Sequence, residues 1–363
     1  MTSYLLAGGG TAGHVNPLLA VADELRRRDA SAEIVVVGTA EGLEATLVPQ
    51  RGYELVTIAR LPFPRRPNAT AWRFFRRWRG VVAQLEKLIA ERGIDCVVGV
   101  GGFASAPAYE AARRTRTRLV IHEANARPGL ANRLGARLTR FVGVAFAGTP
   151  LPHATVVGMP LRREIEELDV LRSRPEARVS FGLQPERPTL LVTSGSQGAR
   201  QINETLTATV GDILDAGYQI LHIVGANAPV KLAQVAGYVA LDYCDRMDAA
   251  LACASFVVSR AGSATVCELA ALGIPAVYVP YPVGNGEQRF NAEGVVAAGG
   301  GVLVADRDFT PDWVRENLIP LLRDEAKIMA MGVCARSTGM LDGTARTVNL
   351  IETALSHGVP SAT

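Results

Sequence analysis

The chain has 363 residues, 48% of them hydrophobic and 20% charged, with a formal net charge of +3 and five cysteines. That length is more than one hydrophobic core usually fills, so about two domains are expected. An odd cysteine count without C-x-x-C spacing argues against a disulfide scaffold and suits reduced thiols in a cytosolic protein. No run of 18 uninterrupted apolar residues exists to span a membrane.

The first ten residues, MTSYLLAGGG, lack a charged n-region and read as a first strand, not a signal peptide. After the strand at 4–7, Leu18, Val21, Ala22 and Leu25 mark one apolar face of a helix over 17–28. Pro17 suits a helix start, since its missing N–H is not needed in the first turn. Apolar runs at 33–37, 96–100 and 119–122 follow, alternating with helical stretches. Such runs are expected of a parallel sheet covered on both faces. The pattern pauses near Val157-Gly158-Met159-Pro160 and gives way to a polar Arg/Glu-rich segment as far as Pro188. It then restarts with strands at 189–193, 219–224, 256–259 and 276–279, and a last helix at 345–355. The fold class expected is α/β, with two Rossmann-like halves that each open strand, glycine turn, helix.

In the opening turn of the first half, AGGGTAGHVNP, Gly8, Gly10 and Gly13 have the G-x-G-x-x-G spacing of a dinucleotide turn. A nicotinamide cofactor would also need an acid at the end of the second strand, but that strand ends Val37-Gly38-Thr39 and Glu41 lies beyond it. A structural turn explains the spacing equally well. His14, directly after the last glycine, is placed where an imidazole reaches the edge of the sheet and favours chemistry. In the second half, SRAGSATVCELAALGIP puts Ser263 and Thr265 at a helix start that suits a phosphate, with Glu268 placed to accept ribose hydroxyls. The helix dipole alone would also favour an acid there.

Seven segments in order, GGGTAGHVNPLLAVADEL, GVGGFASAP, HEANARPGLAN, VGMPLR, SGSQGARQIN, SRAGSATVCELAALGIPA and EQRFNA, make the chain resemble the MurG family of GT-B glycosyltransferases. Members transfer N-acetylglucosamine from UDP-N-acetylglucosamine (UDP-GlcNAc) to undecaprenyl-pyrophosphoryl-N-acetylmuramoyl-pentapeptide in peptidoglycan synthesis. The resemblance implies the GT-B fold, with parallel sheets facing across a cleft. It further implies an N-terminal domain (1–158) on the acceptor and membrane side, a UDP-GlcNAc-binding domain (159–342) and a C-terminal helix (343–363) crossing back to the first domain. By motif, the implied donor contacts are Thr11, Ala12, Gly13, Asn125, Arg162, Ser196, Cys244, Ser263, Ala264, Thr265, Val266, Cys267, Glu268 and Gln288. The chain departs from the commoner family pattern at Ala12, where Gly is usual, and in the charge of the loop 282–287.

The histidines show no ligand spacing, and neither a metal nor a cofactor is expected. Helix ends, backbone amides and Arg162 would then stabilise the departing UDP. An inverting transfer needs a base opposite the leaving group, and His14 is the candidate.

No acid occurs between Glu54 and Glu86, while Arg60, Arg65, Arg66, Arg73, Arg76, Arg77 and Arg79 crowd that stretch. Phe75, Trp78, Val82, Leu85 and Ile89 repeat at helical spacing and suit a core face, whereas Trp72, Arg73, Phe74, Arg76 and Arg77 suit an anionic bilayer surface. Nucleic acid is the rival explanation for the arginines, but no recognition motif accompanies them. The implied location is peripheral, on the cytoplasmic side of the cell membrane, and the resemblance leaves room for protein partners from wall synthesis. Two alternatives share parts of this pattern. One is a UDP-GlcNAc 2-epimerase on the same fold, and the other a non-catalytic nucleotide-sugar or membrane-surface binding module.

Overall fold

The structure, a computed structural model, describes residues 1–10, 12–61, 69–193, 195, 198–225, 235–282 and 286–357, with backbone only at 12 and 69–73. It divides into two units, Met1–Arg162 with Asp342–Thr363, and Arg163–Leu341.

The first unit carries β1 (Ser3–Ala7), β2 (Glu33–Gly38), β3 (Glu54–Thr57), β4 (Cys96–Gly99), β5 (Arg118–Glu123), β6 (Val142–Val144) and β7 (Ala154–Val156). They form one parallel sheet in the order β3-β2-β1-β4-β5-β6-β7. Its helices are α1 (Ala12–Arg28), α2 (Glu44–Gln50), α3 (Ala69–Glu91), α4 (Ser105–Thr115) and α5 (Leu130–Gly135). Alternate strand residues face opposite ways. Tyr4, Leu6, Ile34 and Val36 therefore pack with Leu18, Val21 and Leu25 of α1, while Leu5, Ala7, Val35 and Val37 pack with Val82, Leu85 and Ile89 of α3.

The C-terminal helix Gly343–Ser356 belongs to this first unit. Val348, Ile351 and Ala354 join the α1 side of its core, and Arg28 donates to Asn349, Glu352 and the Ala345 carbonyl. Thr344 Oγ1 donates to the Leu161 carbonyl at 3.0 Å, and a Cβ on Gly343 would lie 2.2 Å from the Met159 carbonyl oxygen. These contacts hold 159–162 in the first unit, so the division falls after Arg162 and not after residue 158.

The second unit repeats the order with β8 (Thr189–Thr193), β9 (Gln219–Ile223), β10 (Tyr238–Leu241), β11 (Phe256–Ser259), β12 (Ala276–Tyr278) and β13 (Gly301–Leu303). Its sheet, also parallel, runs β10-β9-β8-β11-β12-β13. In each unit the order reverses beside the first strand, between β1 and β4 and between β8 and β11. Ligands of open α/β sheets bind at the carboxyl ends of strands at such a reversal.

Two expectations are corrected. The first helix begins at Ala12, five residues before Pro17, which sits inside it. Proline in the second turn supplies no N–H to the Gly13 carbonyl, and the helix tolerates that loss near its start. The phase of α3 also differs: Phe74 is buried with Val81 and Val82, Trp78 packs partly buried against them, and Phe75 points outward. Among the described residues, no helix is long and apolar enough to cross a membrane.

Candidate functional site

In the first unit the reversal point is built from glycines. Gly9 (φ 156°) and Gly10 (φ 93°) leave β1, and Gly101 (φ 93°) and Gly102 (φ 88°) leave β4. The two turns touch, since a Cβ on Gly102 would come within 2.6 Å of the Gly9 carbonyl oxygen. His14 projects from the first turn of α1 over Gly101, whose Cβ would meet the imidazole Nε2 at 3.3 Å. Burial lowers the His14 pKa, and the charge of Glu44 opposes that effect.

Glu44 itself has no counterpart in the motif reading. It is 1% exposed and accepts hydrogen bonds from Gly10 N–H, Thr39 N–H and Thr39 Oγ1–H, each at 2.8 Å. Burial works to raise its carboxyl pKa, but these donors outweigh it and hold the group below the usual carboxylate range. A dinucleotide would need the Gly10 N–H for its pyrophosphate, yet here that donor already serves a buried carboxylate. The G-x-G-x-x-G spacing is therefore not a cofactor site of that kind.

Asn125 follows β5 and is held by Glu123. Glu123 Oε1 accepts from the Asn125 backbone N–H at 2.9 Å, and Oε2 accepts from Gly129 N–H and Asn132 Nδ2. Tyr109 OH donates to Asn132 Oδ1 at 2.6 Å and completes a buried polar chain. Desolvation raises the Glu123 pKa despite these donors. Glu123 and Asn132 lie within the quoted HEANARPGLAN segment, but nothing in their spacing reveals which atoms meet.

In the second unit, Gly262 caps the helix Ser263–Leu272 with extended backbone, and the first intrahelical bond joins Val266 N–H to its carbonyl. The N–H groups of Ser263, Ala264 and Thr265 therefore have no partner within the helix and carry its positive end. Ser263 and Val266 are buried, whereas Ala264, Thr265, Cys267 and Glu268 are partly exposed. The Cys267 thiol is pushed up by burial. Arg260, at the end of β11, pairs with Asp306 and donates to the carbonyls of Val279 and Pro280, tying three strand ends together.

Gln288 Oε1 accepts from Tyr281 N–H at 2.9 Å, which fixes its side chain beside the β12 edge. Cys244 is buried in the turn after β10. Arg162 ends the N-terminal segment of the first unit and is partly exposed. Gly13 lies in α1, and the Ala12 backbone opens that helix. Thr11, Ser196 and the Ala12 side chain lie outside the described residues, as does the loop 283–285. Ser196 is flanked by Gly195 (φ 74°) and Gly198 (φ 75°), and Gly198 approaches Gly225 so closely that a Cβ there would sit 2.6 Å away. Among the described residues, no group of three His, Cys, Asp or Glu side chains could hold a metal ion.

Of the surface expected at α3, Arg76 and Arg77 are exposed. Phe74, placed there by the sequence reading, is 8% exposed, and its neighbour Phe75 is 61% exposed. The core face of α3 runs 74, 78, 81, 82, 85, 89 at spacings of three and four, so Phe74 belongs to it. The side chains of Trp72 and Arg73 lie outside the described residues.

Two units, each built on a parallel sheet in Rossmann order, make up the GT-B fold of sugar-nucleotide enzymes. Residues 4–144 match the glycosyltransferase family 28 N-terminal domain, and residues 189–346 match its C-terminal domain. The chain belongs to glycosyltransferase family 28. A relative from Leifsonia xyli subsp. xyli is 63% identical over 98% of this chain and 99% of its own length. Another, from Streptomyces coelicolor, is 46% identical over 97% and 98%. Both are named UDP-N-acetylglucosamine–N-acetylmuramyl-(pentapeptide) pyrophosphoryl-undecaprenol N-acetylglucosamine transferase. Among solved structures, MurG of Acinetobacter baumannii superposes with a TM-score of 0.79 at 25% identity, covering 97% of this chain and 100% of that one. A UDP-GlcNAc 2-epimerase from Neisseria meningitidis shares the fold with a TM-score of 0.71 at 14% identity, over 97% of this chain and 100% of its own.

Proposed function

We propose that this chain transfers N-acetylglucosamine from UDP-GlcNAc to the muramoyl sugar of undecaprenyl-pyrophosphoryl-N-acetylmuramoyl-pentapeptide, with inversion at the sugar carbon. The observation that carries the reading is the full-length, 63% identical relative named for that transfer. An epimerase shares only the fold at 14% identity.

In this reading the second unit holds the donor. The N–H groups at Ser263–Thr265 receive the pyrophosphate, Glu268 accepts the ribose hydroxyls, the main chain near Cys244 meets the uracil, and Gln288 reaches the sugar hydroxyls. Ser196, Asn125, Arg162 and the segment Thr11–Gly13 complete the set by motif. Bond breaking at the sugar C1 leaves negative charge on UDP, and fixed backbone dipoles with Arg162 stabilise it without a divalent ion. Preorganised donors of this kind are worth about 3–4 kcal/mol each to the transition state. The acceptor O–H gives its proton to His14 as its oxygen bonds to C1 and the C1–O bond to UDP breaks.

A lipid-linked acceptor calls for a peripheral contact with the cytoplasmic face of the membrane. Exposed Phe75, Arg76 and Arg77 of α3 support it. So do Leu130 and Leu134 of α5 and Leu138 just beyond, all exposed, within a stretch of the sequence free of Asp and Glu from Ala124 to Arg163. Each cation near an anionic bilayer contributes about 1 kcal/mol.

Proton NMR of the product tests the chemistry. A new anomeric signal with the large coupling of a β linkage is expected; an α linkage, or conversion of UDP-GlcNAc to its 2-epimer, would contradict the reading.

A further inference from the structure

We propose that Glu44 is a positioning residue of the transfer reaction: its sealed carboxylate fixes the glycine loop leading into His14 and supplies a permanent negative charge that acts on the imidazole. This rests on the reading of His14 as the base.

Three glycines make the socket. A Cβ on Gly9, Gly38 or Gly42 would fall 2.3, 2.4 or 2.1 Å from atoms of the Glu44 side chain. Gly9 has a left-handed φ of its own to explain it, but Gly38 and Gly42 do not. Their lack of a side chain is accounted for by the room Glu44 occupies. The carboxylate has no Lys, Arg or His ion pair among the described residues; it is held by Gly10 N–H and the two donors of Thr39.

Burying a carboxylate without a cation is costly, and a neutral or apolar side chain would brace a loop more cheaply. The charge therefore has a second use, and His14 supplies it. The Glu44 charge acts on the His14 imidazole against the effect of burial. The turn after β4 presents Gly101, and α5 brings the amide of Asn132 against the same glycine, with the Glu123 carboxylate behind it accepting from Asn132 Nδ2 at 2.9 Å.

The other buried histidines show the contrast. His122 Nε2 meets the Gly158 carbonyl, and His222 meets Tyr238 OH and the Asn203 side chain, so the hydrogen-bond partners of both rings are neutral. When His14 takes the acceptor proton it becomes an imidazolium in a partly desolvated site. A fixed anion stabilises that charge as it forms, and solvent removes the proton after product leaves.

The test is the pH profile of kcat for Glu44→Gln beside His14→Ala and the wild type, with UDP-GlcNAc affinity measured by calorimetry. Glu44→Gln is expected still to bind donor through the contacts of the second unit, with a smaller change in affinity than in kcat. Its kcat should fall about tenfold or more, the scale of weakened general-base help. Without the anion the imidazolium is less stable, so the acid limb of kcat should move to lower pH, by about one pH unit. An unmoved limb or an undiminished kcat overturns the proposal. If His14→Ala keeps wild-type turnover, the base assignment falls; if it is inactive and only the limb of Glu44→Gln stays, Glu44 alone falls. Should Glu44→Gln not fold, 13C-histidine NMR of the wild-type protein decides: His14 is expected to titrate above His122 and His222. Titration alongside them overturns the proposal.

Discussion

Phe74 and Phe75 are neighbours in the chain and meet edge to face with ring centroids 5.6 Å apart, yet they serve opposite sides of α3. Phe74 continues into the core through Trp78 at 5.8 Å, while Phe75 stands among Arg76 and Arg77 on the exposed side. The pair separates folding from membrane attachment. Phe75→Ser is expected to leave the melting temperature unchanged and to weaken cosedimentation with anionic vesicles at low salt. Phe74→Ala is expected to cost about 3–5 kcal/mol of stability, the range for a buried phenylalanine. Equal vesicle binding by Phe75→Ser and the wild type would remove this face from the membrane contact.

Glu268 gives a test of the donor site that is independent of the base. If it holds the ribose diol, Glu268→Ala loses hydrogen bonds to a charged acceptor, each worth about 1.5–3 kcal/mol. Calorimetry should then show UDP-GlcNAc binding weakened by at least about tenfold, with the protein fully folded. Unchanged donor affinity would return Glu268 to a dipole-stabilising role at its helix start.

His14→Ala should reduce turnover at saturating substrates by about 100-fold, the usual scale for losing general-base help. Donor affinity should change far less than turnover, because the donor contacts proposed in the second unit are untouched. Near-wild-type turnover would remove His14 from the mechanism.

The two buried histidines predict how stability depends on pH. Burial brings His122 and His222 from 6.5 down to about 4 in the folded protein. The unfolded chain takes up protons near pH 6.5 and the folded chain only near pH 4, so stability is lost as pH falls between these values. The loss is on the order of 3 kcal/mol per histidine. One histidine lies in each unit, so chemical denaturation at pH 7 and pH 4.5 should show both units weakened, and His222→Gln should relieve the second unit alone. Equal stability at the two pH values would contradict the neutral, buried state of these rings.

Much of this architecture is legible in the sequence because buried parallel strands are unbroken apolar runs. The central strands β1, β2, β4, β5, β8, β9, β11 and β12 are of that kind. The strands that escape notice, β3, β6, β7, β10 and β13, are three or four residues long and lie toward the sheet edges. β7 is exposed along its whole length, so no hydrophobic pattern marks it. The motif residues of the donor helix are legible from the glycine turn and the Ser/Thr that follow it. Glu44 is not. An acid in a short helix after a strand looks like a dipole-favoured surface residue, and only the positions of Gly9, Gly38 and Gly42 around it reveal a buried anion. The glycines at 38 and 42 were the available signal. The phase of α3 is a different failure: Phe74 and Phe75 both fit spacings of three or four to later core residues, and packing decides between them.

The central claim is transfer of a sugar to a lipid-linked acceptor with main-chain dipoles and a guanidinium in place of a metal. Its most direct test is to incubate the purified protein with UDP-GlcNAc labelled in the sugar, with and without undecaprenyl-pyrophosphoryl-N-acetylmuramoyl-pentapeptide, in excess EDTA. The account predicts label in the lipid fraction at the metal-replete rate when the acceptor is present, and no consumption of donor when it is absent. A transfer rate that collapses in EDTA and returns with magnesium, or donor turnover without acceptor, would contradict it.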